Sequence, residues 1–206
     1  VFPCACTRRE LADSEIHGLA QDGAALYPGT CRHRLPPGKQ ARAWRLRVGD
    51  AVVEFVDAVQ GRVESMLAVD VGDFVLRRAD NLFAYQLAVV VDDADAGITH
   101  VVRGADLLHS TPRQIFLQRC LGLTTPAYAH VPVAVNAGGE KLSKQAGAAA
   151  LNLMRPGEEL VEALRFLGQE PPKHLSAASV AEIWQWAGVH WSLDKVPRLV
   201  TRERST

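Results

Sequence analysis

The chain has 206 residues, 48% of them hydrophobic, and its 23 Lys+Arg balance 23 Asp+Glu to a formal net charge of zero. That length holds one large domain or a domain with a small appendage, and the apolar fraction excludes a disordered chain. Zero net charge supplies no global attraction for nucleic acid, though it allows a local basic face. No apolar run approaches the roughly 20 residues that span a bilayer. The opening residues, Val1 to Arg9, contain no apolar signal core, so a cytoplasmic protein is expected.

Residues 1–40 are rich in Cys, Arg, Gly and Pro. One helix is expected, from about Thr7 to Ala20, with Thr7 and Glu10 at capping-box spacing. Pro36-Pro37-Gly38 then breaks the chain. From Ala43 to Leu76 the pattern is strand-like. Trp44, Leu46 and Val48 alternate with Arg45 and Arg47, and Val52, Val53, Phe55, Val56, Phe74, Val75 and Leu76 follow. A small antiparallel β-unit is expected there, turning at Gly49-Asp50, Gly61 and Gly72-Asp73.

The texture changes after Ala84. Leu87 to Val91 is nearly all apolar and reads as a buried strand of a parallel sheet, begun by Tyr85 and ended by Asp92-Asp93. Ile98 to Val102 reads as a second strand, ending at Arg103-Gly104. Thr111-Pro112 opens a helix with Thr111 as N-cap. Ile115, Phe116 and Cys120 form its apolar stripe, with Cys120 as core, and Gly122 stops it. Val131 to Val135 reads as a third strand, passing through Gly138-Gly139 into the loop Lys141-Leu142-Ser143-Lys144-Gln145. Strand, helix and strand in this order imply an α/β sheet with right-handed crossovers.

From Leu151 onward the pattern is helical. Leu160, Val161, Leu164 and Leu167 mark one helix, and Val180, Ile183, Trp184 and Ala187 a second. The polar tail, Arg198 to Thr206, is expected to fray. The expected division is a metal-bearing β-rich segment at 1–80, an α/β core with the lysine loop at 81–150, and a helical segment at 151–206.

Three constellations carry chemistry. Cys4, Cys6 and Cys31 lie in one short Gly/Pro-rich segment. In a reducing compartment such thiols suit a closed tetrahedral zinc site better than a disulfide framework. The fourth ligand stays open between His17, His33 and Tyr27, and ordinary buried thiols are the plain alternative. Next, Arg103 sits at the carboxyl end of a strand, where open α/β sheets bind ligands. Its guanidinium can fork onto a carboxylate or phosphate, or simply pair with Asp106 or Asp93. Tyr85 can present a hydroxyl or pack as an aromatic. Asp92-Asp93 offers carboxylates for Mg²⁺ or ends its element. Finally, the two lysines of the Lys141–Gln145 loop suit a polyphosphate, with Lys144 as the phosphate contact.

The runs Val101 to Leu108, Ser110 to Gln114, Tyr128 to Pro132 and Lys141 to Gln145 occur in this order. Together they resemble class I glutamyl-tRNA synthetases, whose Lys-Met-Ser-Lys-Ser signature is similar to Lys141–Gln145. Within that group the closer resemblance is to the glutamyl-Q tRNA(Asp) synthetases, paralogues without an anticodon-binding domain. The pattern Cys4-x-Cys6 followed by Tyr27-x-x-x-Cys31 resembles their zinc site.

The resemblance implies a Rossmann-like catalytic core, represented by the C-terminal half of its sheet, with a zinc-bearing β-rich insertion and a helical C-terminal end. It implies Zn²⁺ on Cys4, Cys6, Tyr27 and Cys31, near the acceptor end of tRNA. Tyr85 and Arg103 would contact glutamate, and Lys144 would contact ATP, which binds with Mg²⁺. The implied reaction makes glutamyl-adenylate from glutamate and ATP, then passes glutamate to the queuosine base of tRNA(Asp). A monomer is expected. The His-x-Gly-His signature of class I synthetases is absent, so the chain reads as lacking an upstream segment and, alone, as inactive or very weak. The rival readings are part of an ordinary glutamyl-tRNA synthetase charging tRNA(Glu), and a non-catalytic zinc-stabilised tRNA-binding remnant.

Overall fold

The computed structural model describes residues 1–12, 19–21, 23, 25–143, 148 and 150–204. The chain forms two compact units: Val1–Val56, Arg62–Val101 and His109–Ala127 in the first, and Asp57–Gly61, Val102–Leu108 and Tyr128–Thr206 in the second.

In the first unit, strand β1 (Phe2–Cys4) pairs antiparallel with β2 (Ala43–Leu46), which pairs antiparallel with β5 (Phe74–Arg77). Phe2, Cys4, Ala5, Tyr27 and Cys31 bury together against this sheet, with Leu11 and Leu35 packed on them. The short helix α1 (Arg8–Ala12) begins with the expected capping box. The Thr7 hydroxyl accepts the Glu10 N–H at 3.2 Å, and the Thr7 N–H donates back to the Glu10 carboxylate at 2.7 Å. The remainder of the helix expected to Ala20 falls mostly outside the described residues.

The strands expected between Ala43 and Leu76 divide between two sheets. β3 (Val52–Asp57) and β4 (Gly61–Met66) are neighbours in a separate sheet from β2 and β5. The four-residue helix α2 (Leu67–Asp70) follows β4.

One expected strand is a helix. Tyr85 to Asp95 forms α3, whose apolar run had read as a buried strand. A short, fully apolar run has no period that separates a strand from a buried helix. The helix penalty of valine is only a few tenths of a kcal/mol, so packing against a neighbouring element decides. That neighbour is α4 (Thr111–Leu121), packed against α3 in the same unit. Asp92 and Asp93 consequently lie in the last turn of α3, where their carbonyls accept the N–H groups of Ala96 and Ile98. Helix α4 stops at Gly122, which is left-handed at φ 67°. Its buried face carries Gln114, Ile115, Leu117 and Gln118, while Cys120 is exposed, not in the core. Cys120 lies beyond the last buried position of the helix, so its sulfur finds no partner layer.

In the second unit, β6 (His100–Gly104) ends beside β7 (Ala127–Val131), and Asp57 at the end of β3 pairs parallel with Tyr128. A 3-10 helix (Ala105–Ser110) leaves β6. Strand β8 (Val133–Val135) leads into the lysine loop. Helices α5 (Pro156–Phe166) and α6 (Val180–His190) bury Val161, Leu164, Leu175, Ile183 and Ala187 in one cluster. The described part of the polar tail, to Arg204, does not fray as expected. Thr201–Glu203 forms β9, parallel to β8, and Arg204 pairs with Glu159 at 3.2 Å. The main-chain ladder with β8 and the Arg202 side chain over the Phe166 ring hold this polar segment without apolar periodicity. No described helix is long and apolar enough to cross a membrane.

Candidate functional site

The end of β6 in the second unit is built around a buried acid–base pair. Asp57 and His130 are 2% and 0% exposed. Asp57 Oδ2 lies 2.6 Å from His130 Nδ1. Its other oxygen accepts three backbone N–H groups, from Val59 at 3.0 Å, Gln60 at 2.8 Å and His130 at 3.1 Å. The opposite ring nitrogen, His130 Nε2, accepts the Arg103 Nε–H at 3.0 Å. A guanidinium has only donors, so Nε2 carries no proton and the ring proton sits on Nδ1, facing Asp57. Burial raises the Asp57 pKa, but His130 and the three N–H groups outweigh it and hold the carboxyl below its ordinary value. The Arg103 guanidinium also lies 5.5 Å from the centre of the Tyr128 ring. A strand-end arginine is thus gripped from two sides by β7.

Gly104 follows, and its lack of a Cβ leaves room for the Asp106 and Val133 side chains. A Cβ there would stand 2.5 Å from Asp106 Oδ1 and 3.2 Å from Val133 Cγ2. The absence of that carbon lets Asp106 turn toward the lysine loop, where its Oδ2 meets Lys141 Nζ at 2.6 Å. The loop is a tight reversal. Asn136 Oδ1 accepts the N–H groups of Gly138 and Glu140, and Leu142 N–H returns to the Ala134 carbonyl at 2.9 Å. Lys144, singled out for phosphate, lies outside the described residues, as does His17.

In the first unit, the sulfurs of Cys4, Cys6 and Cys31 all lie within 4.8 Å of one another, and the Tyr27 hydroxyl joins them. Cys6 and Cys31 sulfurs are 3.8 Å apart, and the Tyr27 oxygen is 3.6 Å from Cys4 Sγ and 4.0 Å from Cys6 Sγ. Sulfurs on a tetrahedral ion at metal–sulfur distances of about 2.3 Å stand about 3.8 Å apart, so the spacing fits zinc. His33 is exposed and outside this group.

The electrostatics of the donors differ. Burial raises the Cys4 pKa, but the Cys6 N–H, the Tyr27 hydroxyl and the Arg45 guanidinium together carry it below the ordinary thiol value. Burial, with Cys4 charge beside it, pushes Cys6 up to about 12. The Tyr27 phenol is pushed up by burial too, and its oxygen accepts the Cys31 N–H at 2.7 Å. Arg45 lies over the Tyr27 ring at 4.3 Å, supplying positive charge beside a cluster that would be strongly negative once ionised.

Asp73 fastens the segment. Its buried carboxylate accepts the Arg32 Nε–H at 2.8 Å and the Val48 N–H at 3.0 Å, and its carbonyl accepts from Arg45 at 2.9 Å. Asp57, His130, Arg45 and Asp73 were not singled out from sequence. His130 lies in the run Tyr128 to Pro132, but pairing of residues 73 positions apart has no local signature. Tyr85 opens α3 in the first unit and is 54% exposed. Arg103 belongs to the second unit.

The family model "tRNA synthetases class I (E and Q), catalytic domain" matches residues 34–200, and the chain belongs to that family. Among curated relatives, the glutamyl-Q tRNA(Asp) synthetase of Dechloromonas aromatica (strain RCB) is 63% identical over 198 residues, covering 96% of this chain and 65% of the relative. The protein of the same name from Aromatoleum aromaticum is 60% identical over 203 residues, covering 98% of this chain and 63% of the relative. The chain therefore spans about two thirds of the length of these relatives. The solved structure of glutamate-tRNA synthetase from Elizabethkingia anophelis has the same fold, with a TM-score of 0.71 at 22% identity over 99% of this chain and 48% of that one.

Proposed function

We propose that the protein carrying this chain activates glutamate with ATP and passes it to the queuosine base of tRNA(Asp). The observation that carries the reading is Arg103 at the end of β6, held by His130 and Tyr128, in a chain 63% identical to a protein named for this activity.

Activation joins a carboxylate to the α-phosphate of ATP and expels pyrophosphate. No protein nucleophile is needed. The work is positioning and stabilisation of negative charge on the phosphate oxygens. Arg103 presents a planar fork that matches a carboxylate of glutamate. Tyr85 keeps the glutamate contact that the sequence resemblance implies. Lys144 meets the ATP phosphates, with Mg²⁺ accompanying the nucleotide. The Asp106–Lys141 pair lies at the start of the lysine loop.

Cys4, Cys6, Tyr27 and Cys31 hold Zn²⁺ in this reading. Four protein donors leave no open position, so the ion supplies structure and no chemistry of transfer. The acceptor is tRNA(Asp), and the enzyme works as a monomer.

The test is charging of queuosine-containing tRNA(Asp) and of tRNA(Glu) with labelled glutamate, using the chain with any upstream segment its gene encodes. Label on the queuosine base supports the reading. Label on the 3′ end of tRNA(Glu) overturns it in favour of an ordinary glutamyl-tRNA synthetase. Binding of tRNA without ATP-dependent activation leaves only a tRNA-binding protein.

A further inference from the structure

We propose that Asp57 and His130 are positioning residues, which set the plane of the Arg103 guanidinium so that it receives a substrate carboxylate. The inference rests on the reading of Arg103 as the glutamate contact and deepens it.

The geometry forms a single directed chain. Three backbone N–H groups fix Asp57 Oδ1, leaving Oδ2 aimed at His130 Nδ1. That contact puts the ring proton on Nδ1 and turns the Nε2 lone pair outward to Arg103 Nε–H. A guanidinium is flat, so a fixed Nε–H direction together with a ring against the guanidinium sets where its two terminal nitrogens point. The Tyr128 ring, with its centre 5.5 Å from the guanidinium carbon, lies 16° from parallel to the His130 ring and backs the same arginine. Arginine has several rotatable bonds and loses entropy when it orders. An arginine ordered before substrate arrives does not incur that loss on binding.

Both members of the pair are buried, so neither is placed to touch substrate directly. A buried carboxylate is costly unless it is paired and hydrogen-bonded, and Asp57 meets that cost with three N–H groups and the His130 ring. Asp57 also closes the turn into Gly61, so one residue ties the end of β3 to the ring that orients Arg103.

The arrangement predicts an unusual sensitivity to an isosteric change. In Asp57→Asn, the three backbone donors hold the amide oxygen at the Oδ1 position. The amide N–H₂ then faces His130 Nδ1. The ring must move its proton to Nε2, which sets N–H against N–H at Arg103. The arginine is driven from its position without loss of its charge.

The test uses the chain with any upstream segment its gene encodes. Glutamate KM, ATP KM and kcat are measured by ATP–pyrophosphate exchange for Asp57→Asn, His130→Phe and Arg103→Lys, and histidine ¹⁵N spectra are recorded for the unsubstituted protein and Asp57→Asn. The expected result is a rise of roughly tenfold to a hundredfold in glutamate KM for the first two variants, of the order seen when the partner orienting a metal-binding histidine is lost. The ATP KM stays unchanged, and the ¹⁵N spectra show the proton on Nδ1 in the unsubstituted protein and on Nε2 in Asp57→Asn. His130→Phe keeps the bulk of the ring and the Asp57 backbone contacts, which covers the case in which Asp57→Asn does not fold. If Arg103→Lys raises glutamate KM and neither other variant does, positioning is refuted and the glutamate reading survives. If Arg103→Lys leaves glutamate KM unchanged, the glutamate reading itself fails. A proton on Nε2 in the unsubstituted protein overturns the proposal without any substitution.

Discussion

Asp57 Oδ2 and His130 Nδ1 are 2.6 Å apart, and their side chains are wholly buried. The pair ties the end of β3 to β7 within the second unit, and its strength depends on the carboxyl being ionised. Its folded pKa is depressed relative to the unfolded chain. Its contribution to stability is therefore complete above the ordinary aspartate range, about pH 4, and is lost as pH falls through the lower folded value. Denaturant unfolding followed from neutral pH to about pH 3 should show this acid limb. Asp57→Asn should flatten it and cost roughly 3 kcal/mol at neutral pH, as breaking a buried pair does.

The thiol cluster carries a metal prediction. Purified protein should contain about one equivalent of zinc, as a four-donor site holds one ion. Cys31→Ser should lose it and melt at lower temperature. Tyr27→Phe separates the ligand question from the packing question. The ring keeps its place against Phe2, 5.8 Å away, and under Arg45, while the oxygen donor disappears. Weakened zinc retention in that variant, read by competition with a chelator, is the expected outcome. Unchanged retention would assign the fourth position to another donor.

Gly104 sets up a steric prediction. Gly104→Ala places a methyl group 2.5 Å from Asp106 Oδ1 and against Val133. Overpacking of this kind costs about 1–3 kcal/mol. Here it also pushes Asp106 away from Lys141. The expected result is a modest loss of stability with a larger loss of ATP–pyrophosphate exchange. Asp106→Asn, which leaves the space unchanged but discharges the pair, should reproduce the exchange defect and spare most of the stability. Equal exchange in both variants and the parent would show that the lysine loop does not need this anchor.

Helix α6 offers a plainer check on the second unit. Ser179 and Glu182 form a complete capping box: the Ser179 hydroxyl accepts the Glu182 N–H at 3.3 Å, and the Ser179 N–H donates to the Glu182 carboxylate at 2.8 Å. Ser179→Ala should cost about 1 kcal/mol, measured by thermal melting, with no change in zinc content or in glutamate dependence.

Sequence carried some of these features further than others. Local signals were legible. Thr7 and Glu10 form the capping box their spacing implies, and Gly122 stops α4 in the left-handed conformation. The Gly138-Gly139 turn leads into the lysine loop, and the three cysteines converge with Tyr27 although up to 27 residues separate them. The failures have one physical cause. Where a segment lacks its own period, the partner decides, and the partner is not written locally. The valine run of α3 becomes a helix because α4 packs on it. The polar tail becomes β9 because β8 supplies a ladder. Cys120 faces solvent although Ile115 and Phe116 share its expected stripe. The Asp57–His130–Arg103 chain escaped for the same reason, since three separate segments must meet before any of its members looks special.

The most direct test of glutamate activation is ATP–pyrophosphate exchange by the chain with any upstream segment its gene encodes, run with glutamate, with aspartate, with glutamine and with no amino acid. Exchange that requires glutamate, and that Lys144→Ala and Arg103→Ala each abolish while zinc content stays at one equivalent, is the predicted result. Exchange that ignores glutamate, or that survives both substitutions intact, would contradict the account.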